Sequence, residues 1–184
     1  MQDLSLHVLD LIQNCVEAGA GTVRISLDES GLDGVVALEV SDDGRGMSPE
    51  LLARVKDPFT TTRTTRRVGM GIPLIQQAVQ AAGGDLSMES REGHGTTIRA
   101  WFLRDHIDAP PLGDVAQSVA IAIATNPGVR FVYTHTAANG SFCVDSKQIA
   151  EFLAEVSISD PGVVAWLKQH LREGIKQVRG GESQ

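Results

Sequence analysis

An alternating strand pattern that runs straight into two acids and two glycines constrains this chain more than any other stretch. Val36, Leu38 and Val40 alternate with Ala37, Glu39 and Ser41, and Asp42-Asp43-Gly44-Arg45-Gly46-Met47 follows without a break. Period-two alternation predicts a half-buried strand with one face on a core. A carboxylate at the end of that strand can accept a hydrogen bond from an exocyclic amine, and glycines just beyond it let backbone approach a flat ring or a phosphate. Taken alone the run is an ordinary turn, because Asp and Gly are turn residues.

The bulk numbers set the frame for choosing between those readings. A chain of 184 residues fits one ordinary domain, or one domain with a small appendage, and is long enough to bury a core. An apolar share of 42% and a mean hydropathy of -0.04 describe a soluble, globular chain. The net charge of -7 argues against a nucleic-acid surface, and the basic clustering is confined to Arg63, Arg66 and Arg67. Cys15 and Cys143 make neither a disulfide framework nor a metal spacing, and both are expected as buried small apolar residues. With no secretory leader pattern and no apolar run long enough for a bilayer, the expected compartment is the cytoplasm, with no membrane partner.

Helical spacing of Leu4, Val8, Leu11, Ile12 and Cys15 predicts a helix that Gly19-Ala20-Gly21 stops. Strands are predicted over 22–27 and 35–41, and Ser48-Pro49-Glu50 opens a short helix to about Val55. Residues 57–69 hold five threonines and three arginines without an apolar period, the composition of a loop. A helix from Ile72 to Ala82 and strands over 85–89 and 96–103 follow. Asp108-Ala109-Pro110-Pro111 is the clearest boundary, since consecutive prolines disfavour helix and central strand alike. Beyond it the pattern predicts a helix (115–124), a hairpin about Asn139-Gly140 (129–136 and 141–144), and two helices (147–156 and 163–178).

Two further segments carry chemistry. His7, Asp10, Asn14 and Glu17 fall at spacings of three or four on the first helix, forming one polar stripe, and the Asn14 amide oxygen could sit on a metal ion near phosphates. Taken alone, such a stripe is also what a solvated helix face looks like. Gly69-Met70-Gly71 leads from the Thr/Arg loop into a helix start, where backbone N–H groups form a natural phosphate site. No Gly-Lys-Ser/Thr follows, so this is not a Walker-type loop.

In order along the chain, Asp10…Asn14…Glu17-Ala18-Gly19-Ala20, then Asp42 to Met47, then Asp57-Pro58-Phe59, then Gly69-Met70-Gly71, then Gly93-His94-Gly95-Thr96-Thr97 resemble the blocks of the GHKL superfamily. That superfamily joins gyrase-type topoisomerases, heat-shock chaperone ATPases, histidine kinases and MutL proteins. Each block is weak, but five in order over residues 1 to about 104 are specific. The resemblance implies an α+β two-layer sandwich, a Bergerat-type mixed sheet covered on one face by helices, as an ATP-binding domain over residues 1–107. A small α+β module of unassigned role would follow over 112–184.

By the same resemblance Asp42 would bind the adenine amino group, with Thr96 near it through a water. Gly44, Gly46 and Met47 would belong to the base pocket, and Asn14 would hold Mg²⁺ bridging the ATP phosphates. Gly69, Met70 and Gly71 would hold the phosphates as a lid closes, and Phe59 matches the block that orders that lid. Asp10, one helical turn from Asn14, is the candidate general base, against a structural role of equal weight. Arg63, Arg66 and Arg67 are candidates to offset phosphate charge, against the plainer reading of solvated loop charges. Three positions depart from the kinase pattern: Asp10 stands where kinases carry His or Glu, Glu17 where they carry Lys, and Arg67 at the first of three glycines.

His7 is expected on the helix surface and His94 in a turn. Only six residues precede His7, too few for the dimerising hairpin that carries a kinase's phosphoacceptor histidine, so the expected acceptor is another protein or water. A MutL-like or chaperone-like ATP-gated switch, with a second copy as partner, and a sensor that binds nucleotide without turnover are the rival readings.

Overall fold

The computed structural model describes residues 3–31, 33–56 and 71–181. In chain order the elements are α1 (Leu4–Glu17), β1 (Thr22–Asp28), β2 (Val35–Asp42), α2 (Pro49–Lys56), α3 (Gly71–Ala81), β3 (Asp85–Arg91), β4 (Gly95–Leu103), α4 (Val115–Thr125), β5 (Arg130–Ala137), β6 (Gly140–Asp145), α5 (Ser146–Leu153) and α6 (Pro161–Arg179).

Six strands form one mixed sheet in the order β3-β4-β2-β1-β5-β6. Every neighbouring pair is antiparallel except β1 and β5, which run parallel with Thr22 opposite Arg130 and Asp28 opposite Thr136. Strands from both sides of the Pro110-Pro111 boundary are therefore neighbours in the same sheet.

The alternation read from sequence becomes the two faces of that sheet. Val23, Ile25 and Leu27 on β1, Val36, Leu38 and Val40 on β2, and Ile98, Ala100 and Phe102 on β4 are buried in one core with Leu4, Val8, Leu11 and Ile12 of α1 and Ile72, Ile75 and Val79 of α3. Their sequence neighbours Arg24, Ala37, Arg99 and Trp101 face outward. On that open face Arg99 bridges two strands, reaching Glu39 Oε2 at 2.6 Å and Glu89 Oε1 at 3.1 Å.

Local signals explain where the helices begin. Asp3, Asp114, Asp145 and Asp160 each accept a backbone N–H as N-cap of α1, α4, α5 and α6, and Gly180 closes α6 in the left-handed conformation. The α1 start is also tied to the proline boundary: Leu4 N–H donates to Pro111 O at 2.7 Å and Ser5 N–H to Leu112 O at 3.0 Å.

Two expectations fail. His7 is buried, 2% exposed, rather than on the surface, because α1 is packed by both α3 and α4 and its buried arc widens to include the flanking residues His7 and Ser5. Its Nδ1 has no hydrogen-bond partner among the described residues, and burial lowers its pKa. Cys143 is exposed rather than buried, since it stands on β6 at the sheet's edge with its side chain toward Thr134 Oγ1 at 3.7 Å. Cys15 is buried and His94 is exposed in its turn, as expected. Among the described residues no helix is long and apolar enough to cross a membrane.

Candidate functional site

β2 carries Asp42 to the end of the sheet, opposite Thr96 of β4, and β3 brings Ser90 opposite Thr96 from the other side. The Ser90 hydroxyl accepts from Met47 N–H at 2.9 Å, donates to Gly95 O at 3.0 Å, and lies 2.8 Å from Thr96 Oγ1. One hydroxyl thereby fixes β3, β4 and the loop after β2 relative to one another.

The two acids of the run have separate roles. Asp43 Oδ1 accepts from Gly21 N–H and Thr22 N–H, each at 2.8 Å, and so ties the loop to the start of β1. Those bonds, Thr22 N–H first, hold its carboxyl below the usual range. Asp42 Oδ1 accepts from Gly44 N–H at 2.8 Å. Burial nevertheless pushes the Asp42 carboxyl up, although the Gly44 N–H, the Cys15 thiol and the Thr96 N–H all favour its charged form. Burial thus outweighs the donors around an ionised Asp42, and a ligand N–H would add another.

The glycines hold the loop close. At Gly46 (φ +64) a side chain would sit 2.0 Å from Arg91 O, and at Gly95 (φ +85) it would sit 1.8 Å from Asp42 O. Between them Arg45 N–H donates to Ala18 O at 3.0 Å, and Arg45 O accepts from Gly93 N–H at 2.7 Å. The loop is clamped between the end of α1 and the β3–β4 turn.

These elements enclose a cleft of about 150 Å³ with Asp42, Thr96 and Asn14 on its walls and apolar faces from Leu11, Val40, Ile72 and Ile98. Apolar faces beside a half-buried carboxylate suit a flat ring bearing an exocyclic amine. Of the residues singled out from sequence, Asn14, Asp42, Gly46, Met47 and Thr96 meet at this cleft. Gly44 lies behind Asp42, where an added Cβ would come within 2.8 Å of Asp42 Oδ1 and 2.9 Å of Ala18 O. Gly71 opens α3 against Asp10, its missing Cβ 2.9 Å from Asp10 Cβ. Asp10 itself is exposed and does not line the cleft. Phe59, Gly69, Met70, Arg63, Arg66 and Arg67 lie outside the described residues.

Sequence reasoning missed two contributors. Cys15, read only as core, lines the cleft, and its thiol is pushed far up by burial and by Asp42. Ser90 has no local signal at all, because its place beside Thr96 follows from strand pairing.

Residues 2–106 match the model of the histidine kinase-, DNA gyrase B- and HSP90-like ATPase family. The chain belongs to this family. An ATP-binding domain of the histidine-kinase-like type therefore occupies its first four strands and three helices. Histidine protein kinase DivJ of Caulobacter vibrioides is 34% identical over 95 residues, which are 50% of this chain and 16% of that protein. Sensor histidine kinase ZraS of Salmonella typhimurium is 31% identical over 101 residues, 54% of this chain and 21% of that one. The chain thus spans about a fifth of these relatives or less. In fold it resembles the N-terminal domain of a DNA repair protein, with a TM-score of 0.56 at 15% identity over 97% of this chain and 57% of the other. That likeness of fold runs past the family match and includes the C-terminal strands and helices.

Proposed function

We propose that the cleft binds Mg-ATP and that the chain passes the γ-phosphate to a partner protein or to water. The observation that carries this is Asp42, a half-buried carboxyl with one oxygen held by Gly44 N–H, set among apolar walls in a family of ATP-binding domains. Its ionised form would accept the adenine amino proton, with Thr96 beside it. Gly46 and Gly95 keep the pocket's rim at backbone thickness. Leu11, Val40, Ile72 and Ile98 would cover the ring faces and exclude water.

The donor set suits magnesium. Mg²⁺ is usually held by one or two protein oxygens together with substrate phosphates, so the Asn14 amide oxygen suffices without a carboxylate cluster, and none of three or more His, Cys, Asp or Glu side chains exists among the described residues. When bound, the ion would neutralise phosphate charge. Gly71, at the start of α3, would offer its N–H to the phosphates, and Asp10, one turn before Asn14, would orient or deprotonate the attacking hydroxyl or water.

A second reading, nucleotide binding without turnover, draws on the placement of Asp10, which is exposed and packed against Gly71 rather than turned to the cleft. A carboxylate beside a helix N-terminus has a structural role of its own. Phosphate release by Asp10→Asn and Asn14→Ala variants separates the two readings: loss of turnover in both supports transfer, and unchanged slow release in both leaves only binding. The pocket is tested by calorimetry on Asp42→Asn, whose ATP affinity should fall about 100-fold; ordinary affinity would overturn the assignment.

A further inference from the structure

The far end of β1 from Asp42 opens into a different cavity, of about 970 Å³. Its floor is the buried pair Glu29 and His135, met from the rim by two exposed arginines. His135 Nε2 lies 2.7 Å from Glu29 Oε1, Arg179 Nε reaches the same oxygen at 3.1 Å, and Arg104 donates to the Glu29 carbonyl. Over that floor α6 presents Arg172, Lys176 and Arg179 at helical spacing, all lining the cavity. Arg172 pairs with Asp114, and Lys176 has no ion-pair partner among the described residues.

Charge makes this cavity unusual in its own chain. Four cations line it (Arg104, Arg172, Lys176 and Arg179) against two carboxylates (Glu29 and Asp114), a local charge of +2 in a protein of net charge -7. Like charges gathered on one helix face repel, and an anion between them relieves that repulsion. The start of α4 opens on the same space through Val115 and Ala116, adding backbone N–H groups and the positive end of an eleven-residue helix. Leu112, Ala137 and Ile175 supply apolar wall beside the cations.

We propose that this cavity is a second ligand site, which binds a phosphorylated small molecule with its phosphate between Arg172, Lys176 and the start of α4 and its organic part on Leu112 and Ile175. A phosphate group offers three acceptor oxygens, enough to satisfy an Arg fork, a Lys and helix N–H groups together, which a single carboxylate cannot. The volume accommodates a molecule of nucleotide size. This site is independent of the Asp42 cleft and does not rest on the function proposed for it.

The test uses the full chain and inorganic pyrophosphate as the probe, followed by calorimetry and by amide chemical shifts. Pyrophosphate should bind, shifting the amides of Val115 to Gln117 and of Arg172 to Arg179, with the same affinity in Asp42→Asn. Lys176→Glu, an exposed change that leaves the Glu29–Arg179 pair in place, should weaken binding at least tenfold. Shifts confined to the surroundings of Asn14 and Gly71, or an affinity unmoved by Lys176→Glu, would overturn the proposal. Citrate is the comparison anion: tighter binding of citrate than of pyrophosphate would overturn the assignment to phosphate.

Discussion

The two ends of β1 each bury a carboxylate, and the two are treated in opposite ways. At the Thr22 end Asp42 is met by neutral donors, the Gly44 and Thr96 N–H groups and the Cys15 thiol, and burial, helped by the charge of Asp43, lifts its pKa. At the Asp28 end Glu29 is buried still more fully, yet the His135 ring and the charges of Arg179 and Arg104 overcome burial and lower its pKa. Burial alone therefore does not set the charge of an acid; the donors around it do. Glu29 is complete within the protein, whereas Asp42 gains from what binds.

The sharpest way to break that comparison is to remove each acid in turn. Glu29→Ala should cost about 3 kcal/mol in urea unfolding, since it leaves His135 and the partly exposed Arg179 without their anion. Asp42→Asn should leave stability level or slightly raised while nucleotide affinity falls about 100-fold. Equal destabilisation by both would erase the distinction.

Acid titration sharpens it further. The folded-state pKa of Glu29 is depressed, so its stabilisation is present above its unfolded value and is lost as pH falls through the folded value. Asp42 is raised, so its ionisation costs stability at neutral pH, and that cost is recovered as pH falls through its folded value. Protonating Asp42 removes the acceptor for an adenine N–H at no cost to the fold, so nucleotide affinity should decay on acidification before the fold does. Circular dichroism and calorimetry over the same pH series would reveal a window of folded, non-binding protein; coincident loss of both would contradict it.

Ser90→Ala should act on the binding end only, weakening nucleotide affinity severalfold and costing about 1 kcal/mol of stability, because one hydroxyl ties Met47, Gly95 and Thr96. The smallest effect is expected at His7, where replacing a buried ring with an unpaired Nδ1 by Leu should shift stability by about 1 kcal/mol or less, toward greater stability. Thermal unfolding reads out both.

Much of this was legible from sequence for identifiable reasons. The strand that ends in Asp42 alternates cleanly, the Asn139-Gly140 turn marks the β5–β6 hairpin, and the order of the glycine and acid blocks already points to Asn14, Asp42 and Thr96 as neighbours in one cleft. What stayed hidden depends on partners distant in the chain. The parallel pairing of β1 with β5 has no local signature, and the burial of His7 and exposure of Cys143 follow from where α4 and the sheet's edge fall. Ser90 reached Thr96 through register, and Asp10, one turn from Asn14, stands outside the cleft beside Gly71.

The parallel contact between β1 and β5 has a practical consequence for anyone who isolates the ATP-binding part. Cutting the chain after residue 107 would strip β1 of a neighbour along its whole length and remove the carbonyls of Pro111 and Leu112 that receive the first N–H groups of α1. An inner strand would become a bare edge, open to pairing with any other chain that meets it. Such a fragment is a recipe for aggregation, and the C-terminal segment is, in that sense, the ATP domain's own chaperone.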